Sequence, residues 1–219
     1  MHKSIINLNL IKNNLKINTL NSGNIKIIAV SKTFSLPEIQ PLIDHGHTHF
    51  GENKVQEAFE KWSTIKKNNK SIKLHLLGRL QSNKVKTALN LFDYIHSLDS
   101  EKLAKKIANE ELNQSKKIKL FIQVNFDNEE QKSGVSEDRL QDLYRYSLNS
   151  GLDVIGTMCI PPVSQNPEKY FKRLKILNDS LGLKELSMGM SSDYLIAAES
   201  EATFIRVGSS IFGERIKKF

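Results

Sequence analysis

The chain has 219 residues, of which 39% are hydrophobic and 26% are charged, and its net charge is +8. This composition is typical of a globular protein with a sizeable core, and no stretch approaches the roughly 20 consecutive apolar residues that a membrane span needs. The positive charge favours anionic partners, which include nucleic acid, phosphorylated ligands and acidic surfaces.

Two further features indicate the compartment in which the protein works. The first 20 residues mix polar and apolar side chains without a continuous apolar segment, so we expect no export signal. The single cysteine, Cys159, cannot form an internal disulfide, which agrees with a reducing compartment. We therefore expect a cytoplasmic protein.

The predicted elements alternate between short apolar runs and amphipathic helical segments. An opening helix is predicted over residues 3–20. Strands are predicted over residues 25–30, 47–51, 72–77, 94–97, 118–124, 154–158, 185–188 and 204–207. A helix is predicted to begin at Ser35, and the next helix has Val55, Phe59, Trp62 and Ile65 along one face. Further helices are predicted over residues 82–92, 100–112, 136–148, 166–182, 193–200 and 209–217.

Local chemistry predicts where several of these helices begin and end. Ser35 and Glu38 have the spacing of a capping box, and Pro37 lies in the first turn of the helix that they begin. Asn166 precedes Pro167 at the start of another helix, which Gly182 ends.

The alternation predicts a parallel sheet, and eight strands each followed by a helix fit a closed (β/α)₈ TIM barrel with an extra N-terminal helix. A doubly wound open sheet is the structural alternative, but no G-x-G-x-x-G sequence opens the first helix after a strand. No linker or internal repeat divides the chain, so we expect one domain over residues 1–219.

Lys32 lies just past the first predicted strand, in the stretch IKIIAVSKTF. At a spacing of two it shares a side of the strand with Val30 and Ile28. If that side faces the barrel interior, the amine lies at the mouth, where partial desolvation and nearby cations lower a lysine pKa and allow it to form a Schiff base. A solvated lysine at a strand end is the alternative.

Two loops near the C-terminus have the composition of a phosphate site. SMGMSSD (187–193) follows the seventh strand, and RVGSSIFGER (206–215) follows the eighth. Each combines glycine with serine hydroxyls and free amides at the start of a helix, where a phosphate is favoured. Ordinary helix capping by the serines is the alternative interpretation.

Barrel closure brings these loops beside the first strand. A ligand with a phosphate at one end and an aldehyde at the other could then reach Lys32, and pyridoxal 5′-phosphate (PLP) has that shape. Arg206 is placed to meet its ring nitrogen, where a permanently protonated guanidinium donates to an unprotonated pyridine and weakens the ring as an electron sink.

The sequence resembles the pyridoxal phosphate homeostasis proteins, whose fold is similar to the fold-type III PLP-binding barrel domain of alanine racemase. The resemblance covers residues 25 to 215 in the family's order. It is carried by AVSKT (29–33), FGENKVQEA (50–58), HLLGRLQSNK (75–84), IHSLDS (95–100), QVNFDNEEQKSGV (123–135), GTMCIPP (156–162), LSMGMSSD (186–193) and RVGSSIFGER (206–215).

The resemblance implies that Lys32 carries PLP as a Schiff base and that Arg206 meets the pyridine nitrogen. It implies that Asn53 lies near the ring. Phosphate contacts are implied for Ser187, for the Met190–Ser191 turn, and for Gly208 and Ser209, although the family usually has threonine where Ser209 stands.

Other groups of residues suggest further sites. His47 and His49 lie on one side of a strand and, with His75 or His96 as a third ligand, could form a metal site, but no cluster with zinc spacing accompanies them, and we expect no metal. Lys84 and Lys132 belong to basic rim segments that are either solvated or hold a second, weaker PLP molecule. The chain lacks the aromatic stacking platforms of a nucleic-acid-binding module, so we expect no nucleic-acid partner.

Function is decided by the site rather than the fold. Racemisation needs an acid or base on each face of the substrate, and none of the five tyrosines has an evident place at the barrel mouth. We therefore expect a monomeric PLP carrier that passes the cofactor to PLP-dependent apo-enzymes in vitamin B6 homeostasis. A weak PLP-dependent amino-acid racemase is the alternative.

Overall fold

The computed structural model describes residues 1–20, 22–127, 133–162 and 164–214. Its strands are β1 (Lys26–Val30), β2 (His49–Glu52), β3 (Lys73–Leu76), β4 (Tyr94–Leu98), β5 (Lys119–Val124), β6 (Asp153–Cys159), β7 (Glu185–Ser187) and β8 (Phe204–Val207). They pair in parallel in chain order, and β8 pairs with β1 to close the barrel. The predicted barrel is confirmed, and the open sheet is wrong.

Helices surround the barrel in the predicted order. They are α1 (Lys3–Asn18), α2 (Leu36–Asp44), α3 (Val55–Asn68), α4 (Val85–Leu91), α5 (Glu101–Gln114), α6 (Glu137–Asn149), α7 (Pro167–Ser180), α8 (Tyr194–Glu199) and α9 (Ser209–Phe212). The helix predicted over 82–92 divides into a 3₁₀ turn and α4. The one predicted over 209–217 ends at Phe212, because Gly213 takes the left-handed φ of +94°.

Two helix starts have the predicted chemistry. The backbone N–H of Ser35 donates to Glu38 Oε2 at 2.7 Å, which is one half of a capping box at the start of α2. The Asn166 side chain accepts from the backbone N–H of Glu168 at 3.0 Å and caps α7.

The predicted N-terminal helix is confirmed as α1. It buries Leu8, Ile11 and Leu15 against the barrel shell, where it packs on α8 and α9. The Asn7 side chain donates to the carbonyl oxygen of Ile211 at 2.9 Å, which joins the first helix to the last. In the part of the chain that the structure describes, no helix has the length and hydropathy of a membrane span.

The interior of the barrel combines apolar and polar side chains. Ile28, Phe121, Met158 and Phe204 are almost completely buried there. Several polar residues are buried with them, among which are His75, His96, Ser187 and Arg206. Polar groups are stable in such a core only when they are hydrogen-bonded, so the positions of their partners decide what this layer can do.

Candidate functional site

A cavity of about 320 Å³ opens at the carboxyl ends of the strands, where barrels of this class carry their active sites. Loops that follow β1, β2, β7 and β8 contribute most of its walls. The lining residues are Val30, Lys32, Phe34, Asn53, Leu77, Ile160, Met190, Ser191, Ser192, Arg206, Gly208, Ser209 and Gly213.

Most of the predicted site residues come together along this cavity. Seven of the eight line it, and they are Lys32, Asn53, Met190, Ser191, Arg206, Gly208 and Ser209. Ser187 does not line it, because its side chain is fully buried at the end of β7. Barrel closure is what joins these residues, since they come from opposite ends of the sequence.

A buried carboxylate supports the loop that carries Lys32. Glu52 is fully buried, and its Oε1 accepts hydrogen bonds from Ser31 Oγ at 2.7 Å, Lys61 Nζ at 3.0 Å and Trp62 Nε1 at 2.9 Å. Lys61 Nζ also donates to the carbonyl oxygen of Ser31 at 2.9 Å. This cluster was not predicted from the sequence, although a glutamate directly after the second predicted strand was its signal.

The residue after Lys32 is held in an uncommon backbone conformation. Thr33 has a φ of +70°, in the left-handed region that β-branched residues rarely adopt. Its backbone N–H donates to Glu57 Oε1 at 3.0 Å. Such strain persists only where neighbouring contacts fix it, and it concentrates at ligand sites. Lys32 therefore lies between two anchored residues.

The opposite wall of the cavity is made of serine hydroxyls and backbone amides. Ser191 Oγ accepts from the backbone N–H groups of Gly208 and Ser210, both at 3.3 Å. The Met190 amide donates to Asp193 Oδ1 at 2.5 Å, which fixes the turn before α8. These bonds hold the two loops against each other, and Ser191, Ser192 and Ser209 line the cavity with hydroxyl groups, which can donate to a phosphate.

Arg206 joins the cavity to the interior of the barrel. It is 5% exposed, and it donates from Nη1 to Ser187 Oγ and from Nη2 to the carbonyl oxygen of Cys159, both at 2.8 Å. Burial lowers the pKa of Arg206, but arginine's ordinary pKa is so high that the cation persists. Burial raises the pKa of the Cys159 thiol to about 12, which leaves it unreactive.

Behind Arg206, three histidines form a hydrogen-bonded chain across the barrel. Ser187 Oγ lies 2.8 Å from His96 Nδ1. His96 Nε2 lies 2.9 Å from His75 Nδ1, and His75 Nε2 lies 2.9 Å from His49 Nδ1. Burial lowers the pKa of His75 and His96 well below the ordinary value, so both rings are neutral at pH 7.

The histidines considered as metal ligands are used differently. His47 Nε2 donates to the carbonyl oxygen of His49 at 2.9 Å, and His49 contacts His75 in the chain described above. Within the described ranges, no group of three or more histidine, cysteine, aspartate or glutamate side chains has an arrangement that could hold a metal ion.

Of the two basic rim residues, the structure describes only Lys84. Lys84 ends the 3₁₀ turn before α4, outside the lining residues, and Lys132 lies outside the described residues. A second cofactor site at this rim stays a prediction.

Comparison with known proteins gives consistent matches over nearly the whole chain. The family model described as alanine racemase, N-terminal domain, matches residues 6–216. A protein named pyridoxal phosphate homeostasis protein from Aquifex aeolicus is 38% identical over 200 residues, which cover 87% of each chain.

Solved structures match in fold as well. PipY from Synechococcus elongatus, solved with PLP bound, superposes with a TM-score of 0.82 at 33% identity, over 92% of this chain and 97% of that one. Alanine racemase from Clostridium difficile has a TM-score of 0.73 at 16% identity, over 99% of this chain and 58% of that one. The second likeness concerns the fold alone.

Proposed function

Because the chain belongs to the pyridoxal phosphate homeostasis protein family, we propose that it binds PLP through a Schiff base on Lys32. In this role it holds the cofactor in the cytoplasm as a monomer, limits the free aldehyde and passes PLP to PLP-dependent apo-enzymes. It has no robust catalytic activity of its own.

One observation carries this proposal: a single cavity is lined by Lys32, by the buried Arg206 and by three serines, Ser191, Ser192 and Ser209. PLP supplies an aldehyde that condenses with a primary amine and a phosphate dianion that needs hydrogen-bond donors. Lys32 would meet the first need, and Ser191, Gly208 and Ser209 the second. The residues present therefore fit the cofactor.

Arg206 and Asn53 would orient the ring of the cofactor. Two of the N–H groups of Arg206 hold Ser187 and the Cys159 carbonyl, and the guanidinium still lines the cavity. Since it keeps its proton, it would donate to a pyridine nitrogen and would not protonate it. Electron withdrawal by the ring would then be weaker, which suits a protein that holds the cofactor.

The cavity contains few groups that could transfer a proton to a bound amino acid. Among the described residues that line it, there is no histidine, tyrosine, aspartate, glutamate or cysteine, and Lys32 is the only amine. A racemase needs a second acid or base on the opposite face of the substrate. This composition supports a carrier over a racemase.

Borohydride reduction of the PLP-loaded protein, followed by peptide mapping, tests the site. We expect the reduced adduct on Lys32 and its loss in Lys32→Arg, which keeps the charge without a reactive amine. Lys54→Arg, on an exposed neighbouring lysine, should retain the adduct. An adduct on another lysine in the wild type would contradict the assignment.

Two assays separate a carrier from an enzyme. Deuterium exchange at Cα of added amino acids should be negligible, and exchange at enzymatic rates would contradict the carrier proposal. Reactivation of a PLP-dependent apo-enzyme by the loaded protein should proceed in the presence of a scavenger of free PLP. Transfer that the scavenger abolishes would exclude direct delivery.

A further inference from the structure

A second cavity lies at the amino ends of the strands, at the opposite mouth of the barrel from Lys32. Its volume is about 620 Å³, within the range of small-molecule sites. It is bounded by α1, the start of β1 and the segment that leads into β2. Among its described lining residues there is no aspartate or glutamate.

Three lysine side chains supply the charge of this N-terminal cavity. Lys12 and Lys16 lie one turn apart on α1, and Lys26 begins β1. Lys26 Nζ is 3.3 Å from Glu185 Oε1, so its charge is partly balanced from outside the cavity wall. The remaining excess of positive charge favours an anionic ligand.

The hydrogen-bonded histidine chain runs from His49, at this cavity, toward Arg206, at the cavity that Lys32 lines, which we call the cofactor cavity. His49 Nδ1 contacts His75 inside the barrel, and His49 is one of the residues that line the N-terminal cavity. Burial, followed by the charges of Lys26 and Lys73, lowers the pKa of His49 to about 4, so its ring is neutral at pH 7 and carries one N–H. Which nitrogen holds that proton decides whether His49 donates or accepts in the cavity.

Arg206, at the other end of the hydrogen-bonded histidine chain, determines which nitrogen of His49 carries the proton. The guanidinium of Arg206 can only donate, so Ser187 Oγ accepts from it and has one proton of its own to give. Among the described residues, the one acceptor recorded for that proton is His96 Nδ1. His96 must then carry its proton on Nε2.

The same choice passes along the chain. The Nε2–H of His96 donates to His75 Nδ1, and the Nε2–H of His75 donates to His49 Nδ1. His49 accepts at Nδ1 and therefore also carries its proton on Nε2. The reverse order would leave the Ser187 proton buried without a recorded acceptor, which is unfavourable. His49, which lines the N-terminal cavity, therefore carries its one N–H on the nitrogen that does not contact His75.

We propose that the N-terminal cavity is a binding site for a small phosphate-bearing anion, held by the Nε2–H of His49 and the ammonium groups of Lys12, Lys16 and Lys26. A donor, three cations and no carboxylate among the described lining residues match a dianion. The concave shape favours a small molecule over an extended polyanion. The proposal does not rest on the proposed function, because none of its steps requires PLP to be bound.

Nitrogen-15 NMR of histidine-labelled protein, titrated with inorganic phosphate at pH 7, tests this site. We expect the Nε2–H tautomer at His49 and a saturable shift of its Nε2 signal. In a Lys12→Ala, Lys16→Ala double variant the dissociation constant should rise about tenfold or more, since two cations near the dianion are lost.

A matched double variant, Lys102→Ala with Lys105→Ala, removes the same charge from exposed positions on α5 and should bind as the wild type does. Phosphate bound at the cofactor cavity would not depend on Lys12 or Lys16, so the two sites are distinguished. Equal dissociation constants in the two double variants, an Nδ1–H tautomer at His49, or no saturable shift would each overturn the proposal.

Discussion

Replacing Glu52 with glutamine tests whether the buried carboxylate holds the lysine loop in place. The side chain of Glu52 is completely buried, and that of its partner Lys61 is 11% exposed. Glutamine keeps an oxygen for the bonds from Ser31 and Trp62 but removes the charge that balances Lys61. Only the charge and one terminal atom differ between the two side chains.

The expected magnitude follows from the burial of the pair. Removing one partner of a buried ion pair costs about 3–5 kcal/mol, because the other charge is left uncompensated. Lys61 retains its bond to the Ser31 carbonyl, a longer ion pair with Glu57 Oε1 at 4.0 Å and slight contact with solvent. We therefore expect Glu52→Gln to lower the free energy of unfolding by about 3 kcal/mol, the lower end of that range. In a Glu52→Gln, Lys61→Met double variant the loss should be smaller than the sum of the single losses.

Urea unfolding followed by fluorescence measures this change. Trp62 is the chain's single tryptophan and donates to Glu52, so its emission reports directly on the cluster. Glu60→Gln, at an exposed position on the same helix, is the matched control and should change stability by less than about 0.5 kcal/mol. A loss below about 1 kcal/mol for Glu52→Gln, or strict additivity in the double variant, would refute the reasoning.

Three further outcomes are expected. Ser187→Ala should weaken PLP binding with little change in the Lys32 adduct site, because Arg206 loses its Nη1 partner; equal affinity by absorbance titration would contradict this. Gly156→Ala should prevent a stable fold, measured by thermal unfolding, because a Cβ there would lie 1.8 Å from the Glu185 carbonyl oxygen. His49 has a pKa of about 4 in the folded protein against 6.5 in the unfolded chain, so below pH 6.5 protons bind preferentially to the unfolded chain. Lowering the pH from 7 to 5 should therefore reduce the free energy of unfolding by about 2 kcal/mol through this residue. Urea titrations at both pH values should show a smaller reduction in His49→Gln than in the wild type.

The sequence determined the architecture of the protein and most of its candidate site. Apolar runs of strand length, each followed by an amphipathic helix, define the parallel barrel, because both patterns are local. Strand ends are local features too, so Lys32 after β1 and Arg206 in β8 could be assigned to one mouth before any contact was known.

Tertiary structure alone decided how the interior polar groups are paired. His96 and Ser187 are 91 positions apart, and closure of the barrel brings them within 2.8 Å. No local sequence pattern predicts that Ser187 accepts a hydrogen bond from Arg206, or that Glu52 forms an ion pair with Lys61. Such pairings depend on which side chains face inward from separate strands and helices at the same height, and only the register of the closed barrel fixes this.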